Sequence, residues 1–405
     1  MRILGISCMF HDASVSVIED GKILFAGHSE RYSREKNDAY LNQSLINEAL
    51  SWGKPDLIVL HESSKLKNRR RLRQFTWSSI KAAFTEPTAE SWIKDFYPQL
   101  AGIPITNCLH HQSHAAAGML TVPEDWNDAA IVTIDAIGEK QTATISTWQK
   151  NERIMLRHEV NFPNSLGLFY SAVTSAIGLK PMEDEYILMG MAAYGEPKYK
   201  VKMDIHLFDH PADELHNCLK TIDMSKGLPK SFFNNIDVED EQTQFDLAAS
   251  AQAVVEERIL SYCRLAFKYS GGSRNLVYQG GVALNCVANS LIYEKDVFKN
   301  IWIMPNPGDA GSSLGAAALY HFEQTGNFVE WEGPYLGTNI KGQWPKEKFL
   351  ASLRKGEIFG VANGRAEFGP RALGNRSLFA DARGTEIKDK VNAIKRRQEF
   401  RPFAP

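Results

Sequence analysis

A strand-and-turn plan near the N-terminus recurs later in the chain, and this recurrence constrains the fold more than any other feature. Residues 2–28 contain three apolar segments, and Asp20-Gly21 separates the last two, VSVIED and KILFAGH. An Asp-Gly pair between alternating apolar segments predicts a β-hairpin. Residues 129–160 follow the same plan, with AAIVTID, TATISTW and RIMLRHEV. Two such units predict a duplicated α/β core.

Composition narrows the class of protein. With 405 residues, two or three domains of ~150 residues are expected. Apolar runs such as DAAIVTID are far shorter than the ~20 residues that a bilayer span needs, so we expect no membrane contact. The net charge of −2 does not require a polyanionic partner. Five cysteines without CxxC spacing favour a reducing compartment, and we predict a cytoplasmic protein.

The stretch HHQSHAAA contains a candidate pair of metal ligands. His110 and His114 are four residues apart, which on a helix places both imidazoles on one face, whereas His111 points elsewhere. A capped, partly exposed helix start that happens to contain histidines would give the same pattern. The histidine pair alone leaves both interpretations open.

Two carboxylates follow apolar strands and strengthen the metal hypothesis. Asp135 ends AAIVTID, and Asp309 lies in the glycine-rich loop NPGDAGSS after IWIMP. Strand ends of this kind meet at one edge of an α/β sheet, where ligands bind. Two histidines and two carboxylates form a mixed N/O site that suits Fe or Mn, and Zn less specifically.

Two glycine-rich loops are candidate phosphate-binding elements. QGGVALN and NPGDAGSSLGAA each lead from a strand into a helix. Gly280 and Gly281 would let backbone N–H groups approach an anion at a helix N-terminus. Glycine turns of this kind also serve packing, so each loop is weak evidence alone. Beside a metal site, the two loops predict a cradle for a nucleotide phosphate.

Eight motifs follow one another over nearly the whole chain: FHDAS, HHQSHAAA, IDAIGE, EYILMGMAAYG, QGGVALN, NPGDAGSSLGAA, GRAEFGPRALGNRSLFADAR and RRQEFRPFAP. Together and in this order, they resemble the NodU/CmcH/TobZ-type O-carbamoyltransferases. The resemblance implies an α/β fold with a duplicated actin-like ATPase (TsaD-like) core in residues 1–335, with lobes at about 1–120 and 121–335. Residues 336–405 would be the N-terminal part of a YrdC-like domain, because family members continue further. Such a part is expected to be partly disordered or to dock on the first domain.

The resemblance also implies an activity and a set of site residues. Carbamoyl phosphate and ATP, with Mg²⁺ accompanying ATP, would give carbamoyl-adenylate, whose carbamoyl group passes to a hydroxyl of an acceptor. An iron ion, or Mn or Zn in its place, would be held by His110, His114, Asp135 and Asp309. The nucleotide would be lined by Gly138, Gln279, Gly280, Gly281, Asn285 and Gly311. His11 would accept the proton of the hydroxyl and Asp12 would orient it or bind the acceptor; the alternative for His11 is a turn residue bonded within its own loop.

The C-terminal motifs supply candidate ligands for carbamoyl phosphate. Arginine forks bind phosphate oxygens in pairs, which suggests Arg371 and Arg376, and the positive field continues through Lys395 and Arg401. A solvated basic helix is the alternative, and it suits Lys395 better than the two arginines of GPRALGNRS.

The acceptor and the partners are less constrained. Six basic residues lie between Lys65 and Arg73, and Phe75 and Trp77 follow. This pattern suits a nucleic-acid groove, although a solvated helix face is more common. Acceptors therefore range from a small natural product or sugar to a hydroxymethylated base in DNA, and a homodimer is left open. Two alternative functions are a threonylcarbamoyl-type tRNA-modifying transferase and a non-catalytic actin-like nucleotide-binding protein.

Overall fold

A computed structural model describes residues 1–73, 77–208, 227–384, 386–401 and 403 of the protein, and these form an α/β fold. The strands are β1 (Arg2–Ser7), β2 (Ser14–Glu19), β3 (Lys22–His28), β4 (Leu57–Leu60), β5 (Ile105–Asn107), β6 (Asp128–Ile134), β7 (Gln141–Gln149), β8 (Met155–Asn161), β9 (Asn275–Gln279), β10 (Asn300–Trp302), β11 (Asn339–Ile340), β12 (Phe359–Ala362), β13 (Gly364–Arg365) and β14 (Arg376–Phe379). The helices are α1 (Glu30–Ser33), α2 (Gln43–Ser51), α3 (Ser64–Arg73), α4 (Trp77–Thr85), α5 (Ala89–Phe96), α6 (His110–Met119), α7 (Leu166–Ala176), α8 (Glu185–Met191), α9 (Lys200–Leu207), α10 (Glu241–Tyr269), α11 (Cys286–Glu294), α12 (Ser312–Thr325), α13 (Lys346–Arg354) and α14 (Glu386–Ile394).

Two five-stranded sheets have the same strand order. The first runs β3-β2-β1-β4-β5 and the second runs β8-β7-β6-β9-β10. In each sheet the first three strands along the chain are antiparallel, and the last two are parallel to the first. The predicted pair of three-stranded units is therefore present, while a common origin of the two halves stays a prediction.

The predicted hairpin turn is present at Asp20-Gly21. Glu19 pairs with Lys22 across the turn, and the two central residues have φ values of 48° and 90°. Positive φ at both central positions is the backbone of a type I′ turn, which matches the twist of the flanking strands. Glycine meets this requirement without steric cost at the second position.

Helices α6 and α12 pack against each other between the two sheets. Helix α12 contacts β1, β2 and β4 of the first sheet, and α6 contacts β6 and β9 of the second. Small residues permit the close approach, because a β-carbon at Gly315 would lie 1.8 Å from the backbone oxygen of Ser113. The first turns of both helices are thereby brought together.

The C-terminal segment consists of the described residues between 336 and 403. It forms two small two-stranded sheets and docks on the first five-stranded sheet. Strand β11 pairs with β13, and β12 pairs with β14. The backbone N–H of Ala26 donates to Leu336 O over 3.0 Å, and Arg365 Nη2 donates to Leu24 O over 2.6 Å. Phe368 is fully buried in the core beside α12. The predicted docking is present, while the domain boundary at 335/336 stays a prediction.

His28 lies where the C-terminal segment meets the core. Its Nε2 accepts a hydrogen bond of 2.9 Å from Asn306 Nδ2, and its ring packs edge-on against Phe368 with centroids 5.0 Å apart. Burial lowers the pKa of His28 from 6.5 to about 4, although the nearby Glu30 carboxylate opposes the shift. The folded protein therefore holds a neutral imidazole at this junction.

Within the described ranges, no helix combines the length and the apolar composition that crossing a bilayer would require.

We expect Gly315→Ala to destabilise the protein by about 1–3 kcal/mol, because the new methyl group must push α12 away from Ser113. Urea unfolding followed by circular dichroism would measure the change. Gly342→Ala is the matched control, since no atom lies within 4 Å of the β-carbon it would add. Equal stabilities of the two variants would contradict this view of the helix contact.

We expect His28 to make stability depend on pH. Its pKa is about 4 in the folded state and 6.5 in the unfolded state, so the unfolded chain binds the extra proton between these values. Neutral His28 makes its full contribution to the free energy of unfolding above pH 6.5. That contribution falls by about 2 kcal/mol on acidification to pH 5. The stability difference between the wild type and His28→Gln, measured by urea unfolding at both ends of this range, should change accordingly. Parallel pH curves for the two proteins would contradict the assignment.

Candidate functional site

Four predicted ligand residues converge at one place in the fold. His110 and His114 lie on the first two turns of α6, Asp135 follows β6, and Asp309 lies in the short turn before α12. All four are buried, and one nitrogen or oxygen atom of each lies within 4.8 Å of the others. Elements from distant parts of the sequence thus form one compact cluster, here called the four-residue centre.

The spacing of these atoms suits a single cation. His110 Nε2 lies 2.9 Å from Asp135 Oδ2, and 3.5 Å from Asp309 Oδ1. His114 Nε2 lies 3.2 Å from Asp309 Oδ1, and the two Nε2 atoms are 3.1 Å apart. Ligands at ~2.0–2.2 Å from a metal ion are separated from each other by roughly 3–3.5 Å. With His114 Nε2 3.7 Å from Asp135 Oδ2, most of these separations lie near that range, so the four-residue centre could hold one ion.

Outer contacts orient these ligand atoms. His114 Nδ1 donates to the backbone oxygen of Pro307 over 3.0 Å, which leaves the lone pair of Nε2 directed at the centre. Asp135 Oδ1 accepts from the backbone N–H of Gly281 at 3.0 Å, which directs Oδ2 toward the histidines. Both contacts are of the kind that supports metal ligands.

The charges of the four-residue centre are strongly coupled. Burial alone would lower the pKa of His114, but Asp135 and Asp309 raise it to about 10. The pKa of His110 is raised for the same reason. The pKa values of both carboxylates are lowered despite their burial, because the imidazoles stabilise the charged forms. Two buried carboxylates thus require positive charge beside them, which protons on the imidazoles or a metal cation can supply.

His111 belongs to a different environment. Its Nδ1 lies 3.3 Å from Thr144 Oγ1, and it is absent from the group of atoms that could share an ion. Burial lowers its pKa to about 3, so it is neutral. It is a buried core residue whose ring centroid lies 6.3 Å from that of His114, outside the four-residue centre.

His11 and Asp12 lie at the edge of the four-residue centre. Nδ1 of His11 is 2.8 Å from Asp12 Oδ2, and Nε2 is 3.6 Å from Asp309 Oδ2. Burial would lower the pKa of His11, but Asp309 and Asp12 raise it to about 9. Asp12 adopts a left-handed backbone with φ of 54°, which is uncommon for a non-glycine residue. His11 is partly exposed to solvent, whereas Asp309 beside it is buried.

The glycines predicted to line a nucleotide also allow close packing around the four-residue centre. A β-carbon at Gly280 would lie 2.2 Å from Ile134 O, and one at Gly311 would lie 1.9 Å from Asn306 O. A β-carbon at Gly138 would lie 3.0 Å from His110. Packing therefore explains why glycine is needed at these positions, and their contact with a nucleotide stays a prediction.

The side-chain amides of two other predicted nucleotide-binding residues differ in their hydrogen bonding. The Asn285 amide forms a reciprocal pair with Gln252 over 2.9 and 3.1 Å, and its Oδ1 also accepts from Ala288 N at the start of α11. Gln279 is fully buried, and neither atom of its amide has a hydrogen-bond partner among the described residues. A β-carbon at Gly118 would lie 2.7 Å from Gln279 Cγ, so this side chain packs against α6. Asn285 is thus held by the protein itself.

The four C-terminal cations differ in the groups that they contact. Arg371 Nη2 donates to Leu284 O over 3.0 Å, beside the QGGVALN loop. The Arg401 guanidinium lies 4.3 Å from the centroid of the Tyr186 ring, and Lys395 is exposed. Arg376 donates to four backbone oxygens at 2.7–3.1 Å, those of Thr338, Asn363, Gly364 and Asn375. Their contacts with carbamoyl phosphate stay predictions, and Arg376 has a structural role.

The basic residues of α3 are partly used inside the fold. Lys67 Nζ lies 2.6 Å from Glu62 Oε1, Arg71 Nη2 lies 2.6 Å from Glu86 Oε2, and Arg70 donates to the backbone oxygen of Gly138. Lys65 and Arg69 are exposed. Phe75 lies outside the described residues. Fewer cations face solvent than the sequence suggests, and the nucleic-acid partner stays a prediction.

Several residues near the four-residue centre were not predicted from the sequence. Glu139 accepts the backbone N–H of His110, and the ring of His61 lies 5.4 Å from that of His110. His61, Glu62 and His110 also have ligand atoms within 4.8 Å of one another, but the Lys67 ammonium already neutralises Glu62. A charged HES segment directly after the apolar strand LIVL was the available signal.

Family comparisons agree with this arrangement of residues. Residues 2–318 match the family described as carbamoyltransferase N-terminus, and residues 350–405 match the family described as carbamoyltransferase C-terminus. The first match includes all four predicted ligand residues, and the second includes the four C-terminal cations.

Three relatives indicate the range of the family. A Synechocystis protein described as uncharacterised is 34% identical over 100% of this chain and 75% of its own length. Nodulation protein NolNO of Sinorhizobium fredii is 28% identical over 98% of this chain and 62% of its own length. The 3'-hydroxymethylcephem-O-carbamoyltransferase of Amycolatopsis lactamdurans is 26% identical over 98% and 76%. The chain thus spans about two thirds to three quarters of these relatives, and it belongs to the carbamoyltransferase family, enzymes that transfer carbamoyl groups.

Proposed function

We propose that the protein is an O-carbamoyltransferase. Carbamoyl phosphate, ATP and water would give carbamoyl-adenylate, phosphate and pyrophosphate, and the carbamoyl group would then pass to a hydroxyl of the acceptor with release of AMP. The four-residue centre is the observation that carries the proposal, because two buried carboxylates and two imidazoles converge at ligand spacing. A non-catalytic actin-like protein would have no use for such a set.

The donor set fits the predicted metal. His110, His114, Asp135 and Asp309 would hold the ion, and two imidazoles with two carboxylates suit Fe or Mn, with Zn as a weaker fit. The Oδ1 atom of Asp309 is buried and faces both imidazoles, 3.2 Å from His114 Nε2 and 3.5 Å from His110 Nε2, which places it where a shared cation would lie. When bound, such an ion would offset the negative charge of a phosphate oxygen.

The adenylate gives the carbamoyl group a leaving group. A carbamoyl carbonyl is a poor electrophile, because its nitrogen donates electron density. In the mixed anhydride, the hydroxyl oxygen forms a bond to the carbonyl carbon while the bond from that carbon to the AMP oxygen breaks. Backbone N–H groups of the glycine loops, which carry the predicted nucleotide residues, would stabilise the phosphate.

His11 is our candidate for the group that takes the proton of the hydroxyl. Asp12 holds Nδ1, so Nε2 is the atom that can face the acceptor. With both neighbouring carboxylates charged, the pKa of His11 is about 9, too high for a base at neutral pH. A cation that shares Asp309 would weaken this pull and bring the pKa toward the range where His11 can accept a proton.

The remaining assignments are finer. We assign the duplicated sheets to an actin-like, TsaD-like core, and residues 336–405 to the first part of a YrdC-like domain that binds carbamoyl phosphate. Arg371 supports the assignment of residues 336–405. It donates to Leu284 O in the QGGVALN loop, so its positive charge lies beside the predicted nucleotide-binding loop. For the acceptor, we favour a small natural product or sugar over DNA, because three cations of α3 are paired internally.

We expect His114→Ala to lower the affinity for the metal ion, because it removes a predicted ligand. The loss should exceed the roughly 10–100-fold that follows removal of a hydrogen bond to a ligand residue. Elemental analysis and titration of Fe²⁺ under anaerobic conditions would measure it. His111→Gln is the matched control, because it removes a buried histidine from the same helix but not from the four-residue centre. If both variants retain the ion equally, the four-residue centre is not the metal site.

We expect His11→Gln to slow carbamoyl transfer by about 10²–10⁴-fold while metal binding persists. The wild type and the variant would each receive preformed carbamoyl-adenylate and a panel of hydroxylated acceptors that includes hydroxymethylcytosine DNA. Mass spectrometry would detect the carbamoyl adduct. A parallel sample with carbamoyl phosphate and ATP tests the activating step separately. Modification of an adenosine amine in tRNA, without any reaction at hydroxyls, would favour the threonylcarbamoyl alternative.

A further inference from the structure

Glu139 is a buried carboxylate beside the four-residue centre to which no role has been given above. It lies four residues after Asp135, in the loop between β6 and β7, and its exposed fraction is 2%. Its Oε1 accepts the backbone N–H of Ser63 at 2.8 Å and that of His110 at 3.1 Å. Its Oε2 also lies 3.1 Å from the N–H of His110. Both oxygens are therefore occupied by backbone donors.

The contact with His110 stabilises the start of α6. The first N–H groups of a helix have no intrahelical acceptor, and the N-terminus carries a partial positive charge. The preceding residue, Leu109, has no polar side chain that could accept such a bond. Glu139 supplies the acceptor and the negative charge from another part of the chain. A carboxylate contributes more in this position than a neutral amide.

This contact also fixes a distance within the four-residue centre. Asp135 and Glu139 belong to one tight loop, in which Asp135 N donates to Thr142 O and Gly138 N donates to Gln141 O. Glu139 attaches that loop to the residue that carries the first imidazole. The 2.9 Å separation between His110 Nε2 and Asp135 Oδ2 therefore depends on where Glu139 holds the start of α6.

A second set of contacts holds the loop from outside. Ser63, the other donor to Glu139, immediately precedes α3. On α3, Arg70 donates to the backbone oxygen of Gly138, the neighbour of Glu139. The loop is thus held between α3 and α6, and Glu139 is the residue that contacts both sides.

We infer that Glu139 is a positioning residue that places His110 against Asp135 and thereby sets the metal affinity of the four-residue centre, an inference that rests on the proposed function. It is absent from the group of ligand atoms that lie within 4.8 Å of one another, and its oxygens accept the N–H groups of Ser63 and His110. Its effect on the ion passes through the backbone of His110 and not through a direct bond.

The test uses Co²⁺ as the probe and the full chain as the protein. Co²⁺ is titrated into the metal-free wild type, Glu139→Ala and Glu139→Gln, and its visible absorption reports affinity and coordination geometry. Glu139→Ala should bind Co²⁺ about 10–100-fold more weakly, with an altered spectrum. Glu139→Gln keeps one acceptor oxygen, so it should recover part of the affinity. Circular dichroism at each titration establishes that every variant is folded.

Asp246→Asn is the matched control. Asp246 is also a buried carboxylate that accepts a backbone N–H, that of Glu196 at 2.9 Å, and its other contacts are with Lys198 and Gln242. A loss of general stability would affect this variant as well, but its Co²⁺ affinity and spectrum should equal those of the wild type.

The outcomes separate the inference from the proposed function. If the wild type shows no saturable Co²⁺ binding, the metal centre fails and the inference fails with it. If the wild type binds Co²⁺ and Glu139→Ala gives the same affinity and spectrum, only the positioning role is overturned. The same holds if Glu139→Ala and Asp246→Asn weaken binding equally. A folded Glu139→Gln that binds Co²⁺ with an affinity between those of the wild type and Glu139→Ala supports the inference. Should Glu139→Ala fail to fold, weaker Co²⁺ binding by folded Glu139→Gln than by the wild type supports the inference, and equal binding overturns it.

Discussion

Two carboxylates buried side by side must have positive charge next to them, and the surroundings of the four-residue centre meet this constraint. An unpaired buried carboxylate costs several kcal/mol, so Asp135 and Asp309 cannot remain ionised alone. The imidazoles of His110 and His114 provide the positive charge as protons or accept a cation between them. Outer bonds from Gly281 N and to Pro307 O fix which atoms face inward. The chemistry of the site follows from this balance of charge.

The packing of α6 against α12 makes that balance geometrically possible. The helices meet at Gly315 and Ser113, and α12 is attached to the first sheet by hydroxyl contacts of Ser14 and Ser16 with Ser313 at 2.8 and 2.9 Å. Because α6 lies against the second sheet, the two sheets are connected through these helices. Interior packing of this density transmits small displacements, so distances in the centre depend on contacts between helices.

Several basic residues whose sequence pattern suggests ligand binding instead make contacts within the fold. The basic run of α3 suggests a polyanion, yet Lys67, Arg70 and Arg71 contact Glu62, Gly138 and Glu86. The arginines of GPRALGNRS suggest phosphate, yet Arg376 is surrounded by backbone oxygens. Guanidinium groups present five donors in a fixed plane, which suits several carbonyl oxygens as well as it suits phosphate. The acceptors available in the fold decide between these uses.

The sequence alone determined the strand units, the Asp20-Gly21 turn, the helical pairing of His110 with His114, and the family, because each depends on local periodicity or on ordered motifs. It also predicted Asp135 and Asp309, because carboxylates at strand ends meet at one sheet edge. Only the tertiary structure decided that all four meet at ligand spacing, that Asn285 is held by Gln252, and that Glu139 supports the start of α6. These contacts join residues far apart in the chain, and their energies depend on burial and on the acceptors nearby, which no local pattern encodes.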